Sequence, residues 1–209
     1  MTKLTPIQWV GYVVFHPVDG FEDMRWKKAG SLKIAFIIVF LLFFALIAHE
    51  RLYGFQFGSV EDKTFSIVPY FMKSMVAFAV WVVGNWAVCT IFSGEGTMRN
   101  ICIYSAYSLV PFIVQMLVNV MLSHVLVRDE AVFMQIIRAV GILWSVLLMF
   151  SAVRSVHGYS AAKTFFAIVL TLASALIMLI LFVLLLSLIQ QIYIFISTIV
   201  TEITYRLRV

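Results

Sequence analysis

The chain has 209 residues, of which 63% are hydrophobic and 12% charged, and its mean hydropathy is +1.05. Soluble domains carry roughly a quarter charged residues, so a chain this apolar has too little polar surface to stay dissolved and reads as an integral membrane protein. The formal net charge of +5 fits basic residues flanking membrane spans, and no nucleic-acid partner is expected.

In chain order, Thr5 offers an N-cap and Pro6 a first helical position, followed by "IQWVGYVVF". Trp9, Tyr12, Val13 and Phe15 are expected to share a face of a short interfacial helix within residues 1–30, lying on the inner leaflet. "HPVDGF" turns the chain towards the first apolar run, which begins too late for the apolar core of a secretory signal. A span needs about twenty apolar residues. Runs of that kind predict spans at about 31–49, 67–92, 102–127, 131–153 and 165–188, and so an all-α polytopic bundle of five helices across 31–209. The last run, Phe165 to Val200, carries no charge, and 36 residues are too many for one span and too few for two. A helical extension over 189–207 is therefore expected.

Orientation follows lysine and arginine. Lys3, Arg25, Lys27, Lys28, Lys33, Arg99, Arg154 and Lys163 lie on one side, against Arg51, Lys63, Arg128, Arg206 and Arg208 on the other. Eight against five places the N-terminus in the cytoplasm and the C-terminus outside.

Between the second and third runs, "SGEGT" places Gly94 and Gly96 beside Arg99. A phosphate loop would need a preceding strand and a Gly-Lys-Ser/Thr end, and neither is present. The stretch is a turn between spans, with Thr97 able to cap the helix after it. Further on, Tyr107 and Pro111 lie four residues apart, one turn on a shared face. Their kink is expected to make room for the second span near Gly84 and Asn85.

Chemistry is sparse. None of the ten acids, among them Glu61, Asp62 and Glu130, falls in the middle of a span, where proton-driven transport or intramembrane proteolysis would place one. His16, His49, His124 and His157 lack metallohydrolase spacing and read as loop and headgroup contacts. Cys89 and Cys102 form neither a Cys-x-x-Cys nor a zinc set. No enzyme, cofactor or metal site is expected. The polar residues within spans are Asn85, Gln115, Asn119 and Arg138, with Lys73 near an edge. At ~1.5 Å per residue, Asn119, Gln115 and Arg138 lie about 8, 13 and 11 Å from the outer boundary. Arg138 is expected to face protein and to pair with Gln115, Asn119 or Glu130, the alternative being that it snorkels to the outer headgroups.

From Ile189 onward, Ile189, Ile192, Tyr193, Ile196, Ile199, Val200, Ile203 and Leu207 form one apolar stripe. Gln190, Gln191, Ser197, Thr198, Thr201, Glu202, Arg206 and Arg208 lie off it. The stripe is the expected docking surface for a partner, with Ile189, Ile192, Ile196, Ile199 and Ile203 at its centre. The chain's own outer loops and the headgroup layer are the other covers considered.

"AYSLVPF", Ala106 to Phe112, resembles the Tyr-Ser-Leu-x-Pro signature of the Yip domain family, five-span membrane proteins first known as partners of Rab-type GTPases. "FHPVDGFEDMRWKKAGS", "GNWAVCTIFSGEGT", "LSHVLVRDE", the Trp144 region and "VHGYSAAKT" extend the likeness, in its bacterial branch, over about 15–206. Ala106 stands where the family has glycine. "RLYGFQFG", Arg51 to Gly58, lacks the aspartate and proline of the eukaryotic Asp-Leu-Tyr-Gly-Pro run and falls in an outer loop. The resemblance implies a bacterial cell-membrane protein, or a Golgi or endoplasmic reticulum protein if the source is eukaryotic. Bacterial relatives are often encoded beside carbohydrate ABC importers. This implies a non-enzymatic subunit that binds such a membrane complex, its permeases and the surrounding lipids. The alternative is a small transporter or channel for an uncharged or lipid-like solute.

Overall fold

The computed structural model describes residues 4–57 and 65–207. Lys3, Gly58, Glu61, Asp62, Lys63 and Arg208 lie outside the described residues. Among those described there are helices and connecting turns and no strand, and five helical segments are long and apolar enough to cross a membrane. The protein is an all-α polytopic membrane bundle.

Two short helices come first, α1 (Pro6–Phe15) and α2 (Asp19–Trp26). Thr5 starts α1 as a full capping box, its hydroxyl accepting from the Gln8 N–H while the Gln8 side chain accepts from the Thr5 N–H. The pair packs onto the spans. Trp9, Val13, Phe21 and Met24 are buried in the same core as the spans, and Trp144 Nε1 donates to Val14 O at 2.9 Å. Phe15 does not share the buried face of Trp9 and Val13; it is exposed.

The first span is α3 (Leu32–Arg51). The second enters as α4 (Val68–Phe71), passes through a π-type turn at Met72–Val76 and continues as α5 (Ala77–Ile91). The third is broken into α6 (Met98–Ser108) and α7 (Val110–Leu122), the fourth is α8 (Ala131–His157) and the fifth is α9 (Ala161–Leu207). The third span begins four residues earlier than its apolar run and ends at Leu122, because residues 123–127 turn back towards α8.

The third span is the centre of the bundle. It packs on α3 and α8, and α6 also meets α5. Just over half of its apolar window is buried (56%), against 28–33% for the first, second and fourth spans and 6% for the fifth. The sequence explains the difference: "CIYSAYS" carries small and hydroxyl-bearing residues that let neighbouring backbones approach. By contrast most of α9 is branched or aromatic, above all beyond Ala175.

Each end of the bundle is tied by polar contacts. At the end bearing α1 and α2, the N-terminal face, Arg25 forms an ion pair with Glu95 and packs against Gly158. At the opposite face, Gly54 N–H donates to Ser123 Oγ at 2.9 Å and Arg128 Nε to Gln56 O at 3.1 Å, while His124 Nε2 lies 2.7 Å from Leu52 O. "RLYGFQF" is thus clamped onto the α7–α8 connection.

Candidate functional site

The polar residues of the spans converge in two places and leave a third region bare. The first place lies at the N-terminal face, where α5 ends. Ser93 adopts the left-handed conformation (φ 54°), and Gly94 N–H closes onto Cys89 O at 2.8 Å. The chain then runs extended through Gly96 until Thr97 caps α6 by accepting from Asn100 N–H. This turn wraps the imidazole of His157, the last residue of α8. Gly96 N–H donates to His157 Nδ1 at 3.3 Å, so the opposite nitrogen carries the proton and donates to Asn85 Oδ1 at 3.0 Å. Asn85 Nδ2 donates to Thr171 Oγ1 at 3.2 Å, and that hydroxyl donates on to Ala167 O at 2.7 Å. The chain of bonds joins α5, the α5–α6 turn, α8 and α9 around a neutral imidazole.

Packing makes the fit obligatory. A Cβ on Gly96 would stand 2.6 Å from His157 Cε1, and one on Gly94 would stand 2.6 Å from Tyr159 Oη. The two glycines are therefore required by the ring they cover. Tyr159, just beyond α8, stacks on His157 with centroids 5.2 Å apart and donates to Cys89 O and Phe92 O. Burial pushes its phenol well above the ordinary tyrosine range. His157 does make the loop contact expected of it, to Gly96, and it adds a buried partner on the second span, Asn85. The residue is 2% exposed, and Gly158, in the left-handed conformation, stops α8 directly after it.

The second place lies between the third and fourth spans. Pro111 has no N–H, and the helix breaks at Leu109, between α6 and α7. Phe112 N–H, lifted out of the helical ladder, donates to Ser145 Oγ of α8 at 2.8 Å. Gly141 lies one turn before Ser145, and a Cβ there would run into Gln115 and stand 3.3 Å from Pro111 O. The kink thus receives α8. The second span does not occupy it: Gly84 instead faces Ser174 and Ala175 of α9. Tyr107 is fully buried, and its hydroxyl accepts from the N–H of Ser31, the N-cap of α3, at 3.3 Å. Asn119 Nδ2 donates to Gln115 Oε1 and to Met134 O, both at 3.3 Å.

Arg138 takes no part in that cluster. Its residue is exposed, and no hydrogen bond or ion pair joins it to Gln115, Asn119 or Glu130 among the described residues. Asn119 has instead turned to a backbone carbonyl of α8, which needs no desolvated charge. The positive charge of Arg138 is felt at Tyr53, beyond the end of α3, where burial raises the phenol and Arg138 partly offsets it.

The third region is α9. It is one helix from Ala161 to Leu207, about 70 Å at ~1.5 Å per residue. Its early turns pack on α5 and α8 through Thr164, Ala167 and Thr171. From Leu179 to Leu207 every residue is exposed, Ile189, Ile192, Ile196, Ile199 and Ile203 among them. The chain's own described loops do not cover the stripe. Thr198, Thr201 and Thr204 donate to Ile194 O, Ser197 O and Val200 O at 2.7–2.8 Å, and Glu202 pairs with Arg206 at 2.7 Å. The threonines and the Glu202–Arg206 pair are therefore answered within the helix itself.

No group of three or more His, Cys, Asp or Glu residues is placed to hold a metal ion among the described residues, and Cys89 and Cys102 are free thiols. Sequence reasoning missed Ser145, Gly141, His157 and Thr171. Gly141 and Ser145 had a readable signal, two small residues four apart in an apolar run. Thr171 had none, since one threonine in α9 looks like any other.

Comparison with curated proteins and with solved structures gives no significant match. The Yip1 domain family matches residues 11–201, from the middle of α1 to the exposed part of α9. With nearly the whole described bundle inside that match, the chain belongs to the Yip1 domain family.

Proposed function

We propose that the protein is a non-enzymatic membrane subunit that binds another multi-span membrane protein and supports its complex. The family resemblance points to the permeases of a bacterial carbohydrate ABC importer as that partner. In this reading it is a bacterial cell-membrane protein with a cytoplasmic N-terminus and the C-terminal end of α9 outside.

The observation that carries the reading is the uncovered length of α9. A hydrocarbon core of about 30 Å, crossed at a tilt as steep as 40°, accommodates roughly 39 Å of helix, or about 26 residues. The uncharged run Phe165 to Val200 is 36 residues long. About ten apolar residues remain outside the hydrocarbon core at that tilt, and more at smaller tilts, and a further polar-flanked turn or two follows. A helix that is apolar on most sides is stable when buried in protein or lipid. The back-bonded threonines suit such a cover, because their hydroxyls ask nothing of it.

A conduit for an uncharged or lipid-like solute has less behind it. The buried amides and the imidazole of the bundle bond to one another instead of lining a path.

The test is isolation of the protein from its native membrane in mild detergent, with identification of the chains that come with it. The reading expects permease-type membrane proteins in fixed ratio. Recovery of this chain alone sinks it.

A further inference from the structure

Two cavities of different chemistry meet at Arg99. The first, of about 370 Å³, opens at the N-terminal face beside Arg25, Lys28, Gly30, Arg99 and Asn100. The second, of about 520 Å³, is an apolar fissure between α3, α5 and α6, with Leu32, Phe36, Val82 and Cys102 in its walls and Arg99 at its mouth. It exists because α3 packs on the π-type turn at Met72–Val76 and then parts from α5. A polar, cationic pocket and an apolar slot between spans thus lie side by side, with Arg99 as their common wall.

The charged groups lining the first cavity are all cations: Arg25, Lys28 and Arg99. Glu95 answers Arg25, whereas Lys28 and Arg99 have no ion-pair partner among the described residues. Their positions are built. Lys28 (φ 47°) and Gly30 (φ 106°) both adopt the left-handed conformation, folding the α2–α3 connection so closely on α6 that a Cβ on Gly30 would stand 2.8 Å from Ile103 Cγ2. Arg99 and Asn100 belong to the first turn of α6, whose free N–H groups and dipole add positive potential on the same side.

We propose that this pair of cavities holds one anionic phospholipid, its headgroup phosphate between Lys28 and Arg99 and one acyl chain in the fissure. The cations select the negative headgroup, and the fissure requires the chain attached to it. A free phosphate would satisfy only the first cavity. Arg25 braces Glu95 and Gly158 and belongs to the scaffold more than to the site.

The test uses the full chain in neutral detergent and native mass spectrometry. Phosphatidylglycerol is the anionic probe, with phosphatidylcholine and inorganic phosphate for comparison. The wild type is expected to retain phosphatidylglycerol in preference to phosphatidylcholine. Lys28→Gln with Arg99→Gln is expected to weaken that retention roughly 25-fold, about five-fold for each charge removed near a headgroup. Ala79→Trp, which fills the fissure from an exposed position on α5 and leaves every cation in place, is expected to reduce phosphatidylglycerol retention as well. Equal retention of the two lipids by the wild type overturns the proposal. So does unchanged retention in either variant, or inorganic phosphate competing as well as the lipid at equal concentration.

Discussion

His157 Nε2 lies 3.0 Å from Asn85 Oδ1 across 72 residues of chain, and this contact joins the second span to the fourth. His157→Ala removes a ring that two glycines and a tyrosine enclose, and it leaves an amide oxygen buried without a donor. We predict a loss of about 2 kcal/mol or more in denaturant unfolding of the reconstituted protein. A double-mutant cycle with Asn85→Ala should return a coupling of about 0.6–1.7 kcal/mol, the range of hydrogen bonds between membrane helices. A coupling near zero would mean that the two residues are neighbours without being partners.

Gly96→Ala attacks the same contact from the other side. Its Cβ would stand 2.6 Å from the imidazole, and overpacking of this kind costs typically 1–3 kcal/mol. Gly11→Ala is the contrast. Nothing lies within 4 Å of a Cβ there, and α1 gains roughly 0.5–1 kcal/mol from the helix preference of alanine. Thermal unfolding should move down for the first variant and up for the second.

For the kink, Ser145 matters more than Pro111. Ser145→Ala strands the Phe112 N–H away from water, at about 1–3 kcal/mol. Pro111→Ala leaves that bond in place and is expected to shift stability by less. The double variant should be milder than the sum, because a helix straightened by the loss of the proline ring returns the Phe112 N–H to the carbonyl of Ser108. Strict additivity in unfolding measurements would argue against this account of the break.

Arg138 was expected to sit among Gln115 and Asn119, and its exposed position reverses the forecast for its removal. Arg138→Met should not destabilise the protein, because it removes a charge from an exposed position within a span, where lipid disfavours it. A loss of about 2 kcal/mol, the scale of a broken buried polar contact, would require a buried partner.

The five spans were legible because a membrane helix needs only length and apolarity, and both are local. The N-cap at Thr5 and the turn at Gly94 and Gly96 were legible for the same reason. What the chain brings together over long distances was not. The depth of Arg138 along its helix matched Gln115, but depth carries no information on which way a side chain leaves the helix. Likewise nothing local shows that His157 reaches Asn85 of the second span, or that Gly141 and Ser145 rather than the second span meet the kink at Pro111. The Ile189–Ile203 stripe was visible in sequence because a long helix keeps its periodicity whether or not anything packs against it.

The central claim is that the exposed extension of α9 is where a partner binds. Ile196→Glu and Ile203→Glu place a charge on the stripe while leaving the packed turns at Thr164, Ala167 and Thr171 untouched. The deciding measurement is co-purification of partner with each variant from native membranes, alongside a check that the variant inserts at wild-type level. The account predicts normal insertion with the partner lost from both. Partner recovered at the wild-type level with both variants, or a stripe found to hold only a second copy of this chain, would contradict it.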